Sequence, residues 1–310
     1  MVSIIVLTFN NLKYSKQCIE SLYQHTPISD FELILVDNAS NDGTPAWITD
    51  LSKNNKNVKY ILNKENCNFA GGCNQGAKIV SGEYLLFLNN DTILTAGWLS
   101  LMVECFGRDS KIGIVGNKHL FPNSDIVWHC GGVIGSDFTP KHIYIGHTNK
   151  SPMVNKSREY SFVTGACLLI KKNIFENVGG FSESYKNSFE DVDLCFKVKE
   201  LGYKIFYCCK SCIYHYGSIS TGRNDNNLTN YAILFKKWFG RGMLVANESL
   251  YWQQDNYPHC LTLENKADMY IWTLRHDFEN SLSWKLTAPF RFVGKMIMAA
   301  YQILFYFFTH

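Results

Sequence analysis

Apolar and polar residues alternate along the first 116 residues in blocks that match strands and helices in turn. Short apolar runs rich in branched side chains predict buried strands at residues 3–8, 32–36, 58–62, 83–88 and 112–115. Apolar residues at helical spacing between these runs predict helices at residues 11–25, 44–53, 70–80 and 96–106. Because such alternation is typical of sheets covered by helices on both faces, the pattern predicts an α/β fold with a mostly parallel sheet.

The pattern changes beyond the fifth predicted strand. Residues 117–161 are rich in Gly, His, Asn and Pro and contain only short β-like pieces, at 126–128 and 143–145. This composition predicts loops and hairpins over one edge of the sheet. Regular elements return with a predicted strand at 161–170, a helix at 191–201 and a strand at 204–207.

The last part of the chain has a helical pattern with many aromatic residues. We place a domain boundary at residues 220–225, in a polar run, which leaves residues 223–310 as a helical extension. Its uncharged run at 296–309 is shorter than the roughly 20 residues that span a bilayer. Two interpretations stay open: a helix docked on the core or in an oligomer interface, or an interfacial membrane anchor with Arg291 and Lys295 near headgroups.

Composition restricts the class of protein. The chain has 310 residues, of which 46% are hydrophobic, enough for a large core and too many for a disordered or collagen-like chain. Thirty basic and 27 acidic residues give a net charge of +3, which provides no reason to expect a nucleic-acid partner.

The chain has 11 cysteines. No signal peptide is recognisable before the first predicted strand, so we expect mostly buried, reduced thiols in a cytoplasmic protein. The alternative is a zinc site at Cys208, Cys209 and Cys212, although no second ligand pair follows at zinc-finger spacing.

Carboxylates follow two of the predicted strands at the point where each strand ends. Asp37 comes directly after residues 32–36, and Asp91 follows Asn89 and Asn90 at the end of the fourth strand. Ligands of parallel α/β sheets bind outside the carboxyl ends of the strands. Asp37 could therefore accept hydrogen bonds from a ribose or a base, and Asp91 could bind Mg²⁺ or Mn²⁺ that carries a diphosphate. Each is also an ordinary turn residue, so neither is specific alone.

Three further segments carry candidate chemistry. The glycine-rich run at 69–77 allows close backbone approach and opens a helix, although it matches neither a dinucleotide nor a P-loop motif. Glu190, Asp191 and Asp193 cluster at a helix start, where acids complement the helix dipole or supply a general base. His215 ends a predicted strand and becomes a plausible metal ligand beside Asp91.

In this order, these segments resemble family 2 glycosyltransferases, which have the GT-A fold. The resemblance covers about residues 2–220 and is carried by VLTFNN, LVDNASNDG, FAGGCNQGA, LLFLNNDT, TGACLLI, VGGFSESY, EDVDLC and YHYGSIS. The chain looks most like the bacterial branch that includes rhamnosyltransferases and other polysaccharide or protein glycosylation enzymes. The resemblance implies a Rossmann-like GT-A domain over residues 1–222, with a nucleotide-binding half at about 1–116 and an acceptor half at about 117–222. It also implies a cytoplasmic enzyme or one bound peripherally to the inner face of the cell membrane.

The resemblance implies an inverting, metal-dependent transfer of a sugar from a UDP- or dTDP-activated donor. The acceptor would be a hydroxyl of a glycan, a lipid-linked glycan or a protein. Asp191 would be the catalytic base, with Glu190 beside it at the acceptor. Asp91 would bind Mn²⁺ or Mg²⁺ on the donor diphosphate, His215 would approach the same ion, and Asp37 would read the uracil or thymine base. The remaining residues expected at the nucleotide or the donor sugar are Thr8, Phe9, Asn10, Asn74, Asn90, Gly165 and Ala166.

One departure keeps other functions open. Asn89 stands where the first Asp of the family's DXD-type metal motif is expected, and an amide brings no charge. A non-catalytic module that binds nucleotide sugars or carbohydrates is the main alternative, opposed by the presence of Asp91 and Asp191. A nucleotidyltransferase is less consistent with the sequence, because TFNN stands where its glycine- and basic-rich loop would follow the first strand.

Overall fold

The computed structural model describes residues 1–135, 138–217 and 227–239. The strands in these ranges are β1 (Val2–Thr8), β2 (Phe31–Asp37), β3 (Val58–Leu62), β4 (Tyr84–Asn89), β5 (Thr92–Leu94), β6 (Ile112–Leu120), β7 (Val127–His129), β8 (Gly132–Ile134), β9 (Pro140–His142), β10 (Arg158–Tyr160), β11 (Cys167–Lys171) and β12 (Lys204–His215). The helices are α1 (Leu12–His25), α2 (Thr44–Asn54), α3 (Asn68–Ala77), α4 (Trp98–Phe106), α5 (Lys172–Asn177), α6 (Glu190–Glu200) and α7 (Asn227–Leu234). A 3₁₀ turn at Ile28–Asp30 precedes β2, and a π-helical turn at Phe235–Phe239 follows α7.

Ten of these strands form one mixed sheet. Eight of them follow the order β10-β12-β6-β11-β4-β1-β2-β3, while β5 pairs with β12 and β7 pairs with β6. Strands β3, β2, β1 and β4 pair in parallel, as the alternating pattern predicts. The other half is mixed, because β11 runs antiparallel between β4 and β6. The prediction of an α/β fold with helices on a central sheet is confirmed. The expected parallel pairing holds for β3, β2, β1 and β4, and the antiparallel strands of the other half make the whole sheet mixed. The parallel part carries the strand ends at which Asp37 and Asp91 lie.

Helices cover both faces of the sheet because the strands are apolar on both sides. Ile5 belongs to one hydrophobic cluster, and its neighbours Ile4 and Val6 belong to the other. The first cluster receives side chains from α3, α5 and α6, and the second from α1, α2 and α4. The result is a three-layer arrangement in which the sheet is the middle layer.

The glycines of α3 are explained by packing. A Cβ on Gly76 would lie 2.7 Å from the Ile5 Cγ2 methyl group, and one on Gly72 would collide with the side chain of Leu7. The glycine-rich run therefore lets α3 approach β1 closely, and the helix already begins at Asn68, ahead of the predicted start.

The second half differs most from the expected element bounds. Strands β6 and β12 run well beyond the predicted residues 112–115 and 204–207, because buried polar side chains continue both strands. In β6, Lys118 is buried and donates to Asn149 Oδ1 at 2.7 Å and Asn155 Oδ1 at 2.6 Å. The predicted strand at 161–170 is regular only from Cys167, and hairpin strands occupy parts of the predicted loop region.

The cysteines of the described ranges are ten free thiols, seven of them buried. Within these ranges no group of three or more His, Cys, Asp or Glu side chains is placed to hold a metal ion, which gives no support to the alternative of a zinc site at Cys208, Cys209 and Cys212. Cys208 packs in the cluster that holds Leu33, whereas Cys209 and Cys212 pack against a separate cluster.

The predicted boundary at 220–225 and most of the predicted helical extension lie outside the described residues. Within the ranges described, no helix is both long enough and apolar enough to cross a membrane.

Candidate active site

Thr8 and Asp37 form the first part of the site. They end the neighbouring parallel strands β1 and β2 and lie opposite each other in register. The Thr8 hydroxyl donates to Asp37 Oδ1 at 3.0 Å, and both residues are buried. Ser40 adds two bonds, from its N–H to Asp37 Oδ2 at 2.9 Å and from its hydroxyl to Asp37 Oδ1 at 2.6 Å. The carboxylate is therefore fixed in orientation by the turn that follows its own strand.

The turn after β1 is held against the turn after β2. The Asn10 N–H donates to the Ser40 hydroxyl at 2.7 Å, and Asn10 Oδ1 accepts from the Asn41 N–H at 2.9 Å. Asn10 and Asn11 both have left-handed backbones, with φ of 54° and 60°, which Asn tolerates better than most residues. Phe9 remains 40% exposed at this edge. Its ring is thus accessible beside the buried Thr8–Asp37 pair.

The second part of the site lies between β4 and β5. His215 ends β12, and its Nε2 atom lies 3.2 Å from Asp91 Oδ1 and 3.5 Å from Asn89 Nδ2. Asp91 is 4% exposed and His215 is fully buried. The Tyr216 N–H donates to the Asp91 carbonyl oxygen at 3.0 Å, which fixes the two segments to each other.

The donor atoms of this pair fit a divalent cation of the Mn²⁺ or Mg²⁺ type. A carboxylate oxygen and an imidazole nitrogen face each other at 3.2 Å, and the imidazole nitrogen is the one that would bind metal. Asn89 stands where the DXD-type motif would have its first Asp, and its Nδ2 atom lies 3.5 Å from the His215 Nε2 atom. An ion here would have two protein ligands and would need oxygens from a diphosphate or water to complete its coordination.

Aromatic rings surround His215. The ring of Trp128 lies 4.6 Å from it and that of His119 lies 5.4 Å from it. Burial, with smaller contributions from His215 and His142, holds the pKa of His119 well below its ordinary value. His119 therefore brings no positive charge near Asp91 at neutral pH. This arrangement could not be predicted from the sequence, because Trp128 and His119 lie in a region predicted to be loops and hairpins.

The third part of the site is Asp191, in the first turn of α6. Its Oδ2 atom accepts from the Gly165 N–H at 2.7 Å, and its Oδ1 atom accepts from the Val192 N–H at 2.9 Å. A Cβ on Gly165 would lie 3.2 Å from the Asp191 Cβ atom, so glycine permits the close approach. Two backbone donors thus orient the carboxylate.

The three acids of α6 have different surroundings. Glu190 is 7% exposed and precedes Asp191 at the start of the helix. Asp193 is fully buried and accepts from the Tyr185 hydroxyl at 3.2 Å and from the Trp238 indole N–H at 2.7 Å. Asp193 therefore has a structural role in joining α6 to Tyr185 and Trp238. Asp191 is the acid that lies beside Gly165.

Backbone contacts connect the second and third parts of the site. The Asn89 N–H donates to the Ala166 carbonyl oxygen at 2.9 Å, and the adjacent Gly165 binds Asp191. Asn89 is also paired with Leu7 in the register of β4 and β1, one residue from Thr8. All three parts therefore lie along the same edge of the sheet.

Two other predicted residues have structural partners. Asn74 binds the segment after α5, donating to the Phe181 carbonyl oxygen at 2.9 Å and accepting from the Phe181 N–H at 3.0 Å. Asn90 Nδ2 donates to the Ser15 hydroxyl of α1 at 2.9 Å. The structure gives both amides a role in positioning neighbouring segments, and contact with a donor stays a prediction.

These observations define a class of protein. It is an α/β protein whose ligand site lies at the carboxyl ends of the parallel strands, where polar side chains gather. The chain matches the sequence profile described as Glycosyl transferase family 2 over residues 3–179. The match covers more than half of the chain. The protein therefore belongs to glycosyl transferase family 2, which confirms the resemblance drawn from the sequence.

Several bacterial relatives share this region. An uncharacterized protein of Sinorhizobium fredii is 34% identical over 232 residues, 73% of this chain and 25% of that protein. The O-antigen biosynthesis protein RfbC of Myxococcus xanthus is 29% identical over 254 residues, 77% of this chain and 19% of that protein. The chain thus spans a quarter or less of the length of these two relatives.

Another relative is similar in length. The GalNAc(5)-diNAcBac-PP-undecaprenol beta-1,3-glucosyltransferase of Campylobacter jejuni is 26% identical over 303 residues, 93% of this chain and 90% of that protein. Among solved structures, GalNAc-T7 with UDP, GalNAc and Mn²⁺ superposes with a TM-score of 0.63 at 15% identity, over 93% of this chain and 58% of that one. That likeness supports the GT-A fold.

Proposed function

We propose that the protein is an inverting glycosyltransferase that uses a UDP- or dTDP-activated sugar and a divalent cation. The acceptor is a hydroxyl of a glycan, a lipid-linked glycan or a protein. The observation that supports this proposal most directly is a line of contacts between the Asp91–His215 pair and Asp191. It runs from His215 to Asn89, from Asn89 to Ala166, and from the adjacent Gly165 to Asp191. This line supports the proposal because the residues we assign as metal ligands and as general base lie at neighbouring strand ends.

The nucleotide end of the site is assigned to Thr8, Phe9, Asn10 and Asp37. The buried Asp37 carboxylate is held by Thr8 and Ser40 and is suited to accept the N–H of a uracil or thymine base. The exposed Phe9 ring lines the nucleotide pocket. The residues assigned to the donor sugar and its surroundings are Asn74, Asn90, Gly165 and Ala166.

Asp91 and His215 would hold Mn²⁺ or Mg²⁺. The ion would neutralise charge that develops on the diphosphate as it leaves. Mn²⁺ is present in the solved structure of GalNAc-T7, which has the same fold at low identity. The single acid in the Asn89, Asn90 and Asp91 segment predicts weaker metal binding than two acids would give.

Asp191 is the general base that removes the proton from the hydroxyl of the sugar acceptor. The acceptor oxygen forms a bond to the anomeric carbon while the bond from that carbon to the diphosphate oxygen breaks with its electron pair. The acceptor proton passes to Asp191, which Gly165 and Val192 hold in position. A general base of this kind typically contributes roughly 100- to 10,000-fold to the rate. Glu190 would lie beside the acceptor, and attack opposite the leaving group inverts the anomeric carbon.

A donor screen tests the proposal. The purified protein with Mn²⁺ is incubated with UDP-, dTDP- and GDP-sugars, and thermal stabilisation and slow donor hydrolysis are measured. We expect one UDP or dTDP donor to stabilise the protein, and Asp91→Ala to lose this response while the exposed-site control Asp50→Ala keeps it. Absence of any response, or an unchanged response in Asp91→Ala, would contradict the assignment.

The alternative of a non-catalytic binding module has one supporting observation, the amide of Asn89 in place of an acid. Such a module would bind a donor without hydrolysing it and without transferring the sugar to any acceptor. The same screen separates the two functions, because only the enzyme releases nucleoside diphosphate.

The acceptor and location are also proposals. The Campylobacter relative is named for a lipid-linked glycan, so we propose a lipid-linked glycan as the first acceptor to test. A lipid-linked acceptor would bring the enzyme to the inner face of the cell membrane, with residues 223–310 as the contact or as an oligomer interface. Deletion of residues 286–310 should then release the protein from membranes, and unchanged membrane fractionation would argue against this role.

A further inference from the structure

The loop before Asp191 has an unusual backbone. Asn187 and Phe189 both have left-handed conformations, with φ of 59° and 70°. Non-glycine residues hold such conformations where surrounding contacts enforce them. Phe189 is also the N-cap of α6, and it makes no side-chain capping bond. The position of Asp191, two residues after Phe189, therefore depends on contacts from outside α6.

Asn230 of α7 provides such contacts. Its Oδ1 atom accepts from the Lys186 N–H at 3.1 Å, and its Nδ2 atom donates to the Lys186 carbonyl oxygen at 3.0 Å. Nδ2 also donates to the Ser188 hydroxyl at 2.9 Å. Asn230 is 1% exposed. One carboxamide thus binds the loop on both sides of Asn187.

Neighbouring contacts hold α7 in place against the same loop. The Ser188 hydroxyl donates to Asn227 Oδ1 at 2.9 Å, and the ring of Phe189 lies 6.4 Å from that of Tyr231. Beyond α7, Lys237 forms an ion pair with the buried Asp193 of α6 at 2.7 Å. Helix α7 therefore contacts the loop before α6, and the π-helical turn after α7 contacts α6 itself.

The opposite side of the loop contacts α3. Asn187 Oδ1 accepts from the Phe69 N–H at 3.0 Å, at the start of α3. The loop thus lies between α3 and α7. Among the described residues, Asn230 of α7 is the buried side chain that hydrogen-bonds to Lys186 and Ser188.

We propose that Asn230 is a positioning residue for the catalytic base. Its carboxamide holds the loop at Lys186 and Ser188 so that α6 begins with Asp191 directed to the Gly165 N–H. This inference rests on the proposed role of Asp191. It assigns to α7, which follows the region that resembles the family, a direct part in the arrangement of the active site.

The test compares Asn230→Ala with Thr229→Ala, an exposed neighbour on the same helix. Steady-state transfer and UDP binding are measured for both variants. We expect Asn230→Ala to lower kcat by about 10- to 100-fold, because small misplacements of a catalytic group carry penalties of that order. The KM for the donor and the Kd for UDP should stay unchanged, and Thr229→Ala should match the wild-type protein.

Equal kcat values for the two variants would overturn the proposal. A loss of UDP affinity as large as the loss of kcat would overturn it as well, because it would show a general loss of structure. If Asn230→Ala does not fold, Ser188→Ala is measured; it removes the bonds to Asn227 and Asn230 and should lower kcat at unchanged donor KM. An unchanged kcat in Ser188→Ala would then refute the positioning role.

Asp191→Asn, measured in parallel, separates this inference from the proposed function. If Asp191→Asn transfers sugar normally, the proposed base is wrong. If Asp191→Asn is inactive and Asn230→Ala is fully active, the base assignment stands and only the role of Asn230 is refuted.

Discussion

Glu32 makes the interactions of the first two strands dependent on pH. It lies in β2 and is buried, and its Oε1 atom accepts from the Ser3 hydroxyl at 2.6 Å. Its Oε2 atom accepts from the Ser81 hydroxyl at 3.0 Å and pairs with Lys59 at 2.8 Å. Glu32→Gln removes the charge from this network with little change in volume.

The magnitude follows from the pKa of Glu32. Burial by itself would raise the pKa, but the hydrogen bonds from Lys59, Ser3 and Ser81 outweigh it and lower the pKa from 4.5 to about 2. Each pKa unit corresponds to about 1.4 kcal/mol, so the charged network contributes on the order of 3 kcal/mol at neutral pH. This is an upper value, because the Lys59 side chain is 44% exposed and solvent screens part of its interaction.

The sign of the pH dependence is fixed by the lowered pKa. The unfolded chain binds the proton first as the pH falls, so the contribution is complete above about pH 4.5 and is lost as the pH falls towards 2. About 1.5 kcal/mol of it should remain near pH 3. The difference in stability between the wild-type protein and Glu32→Gln should therefore narrow as the solution is acidified.

Urea unfolding at pH 7, 4 and 3 measures this difference, with the exposed Glu20→Gln as the matched control. We expect Glu32→Gln to be less stable at pH 7 and to approach the wild-type protein at pH 3, and Glu20→Gln to be neutral throughout. A difference that stays constant with pH, or grows at low pH, would refute the reasoning about the Glu32 charge.

Three further predictions follow from the structure. Gly76→Ala should lower the free energy of unfolding by about 1–3 kcal/mol in urea, because the new methyl group would overpack against Ile5; a neutral result would contradict the close packing of α3 on β1. Gly165→Ala should lower the transfer rate by about tenfold, because its Cβ would lie 3.2 Å from that of Asp191; unchanged kinetics would contradict the assigned contact. EDTA should remove most of the transfer activity and Mn²⁺ should restore it, whereas full activity in the chelator would contradict the roles of Asp91 and His215.

The elements that could be predicted from the sequence are those in which the spacing of apolar residues matches the positions that are buried in the structure. Strand β2 is buried along its length and has an apolar run at residues 33–36, and strand β3 has the predicted bounds of 58–62. The long strands β6 and β12 were predicted too short because their buried polar residues, such as Lys118, interrupt the apolar pattern. The partners that satisfy Lys118 lie far away in the sequence, and no local pattern indicates them.

Some features of the candidate site could likewise be predicted from the sequence and others could not. The positions of Asp37 and Asp91 could be predicted because each comes at the end of an apolar run, and both lie at the carboxyl ends of parallel strands in the structure. The bond from Gly165 to Asp191 and the bonds from Asn230 to Lys186 could not be predicted from the sequence alone. They join segments that only the folded sheet brings together, and a buried Asn on a short helix is no signal in a sequence.

The most direct test of the proposed function is the comparison of the wild-type protein with Asp191→Asn in sugar transfer and in UDP binding. Asn keeps the size of the side chain and removes its ability to take a proton. We predict that kcat falls by roughly 100- to 10,000-fold while the Kd for UDP is unchanged. Transfer at the wild-type rate, or loss of UDP binding together with activity, would contradict the assignment of Asp191 as the catalytic base.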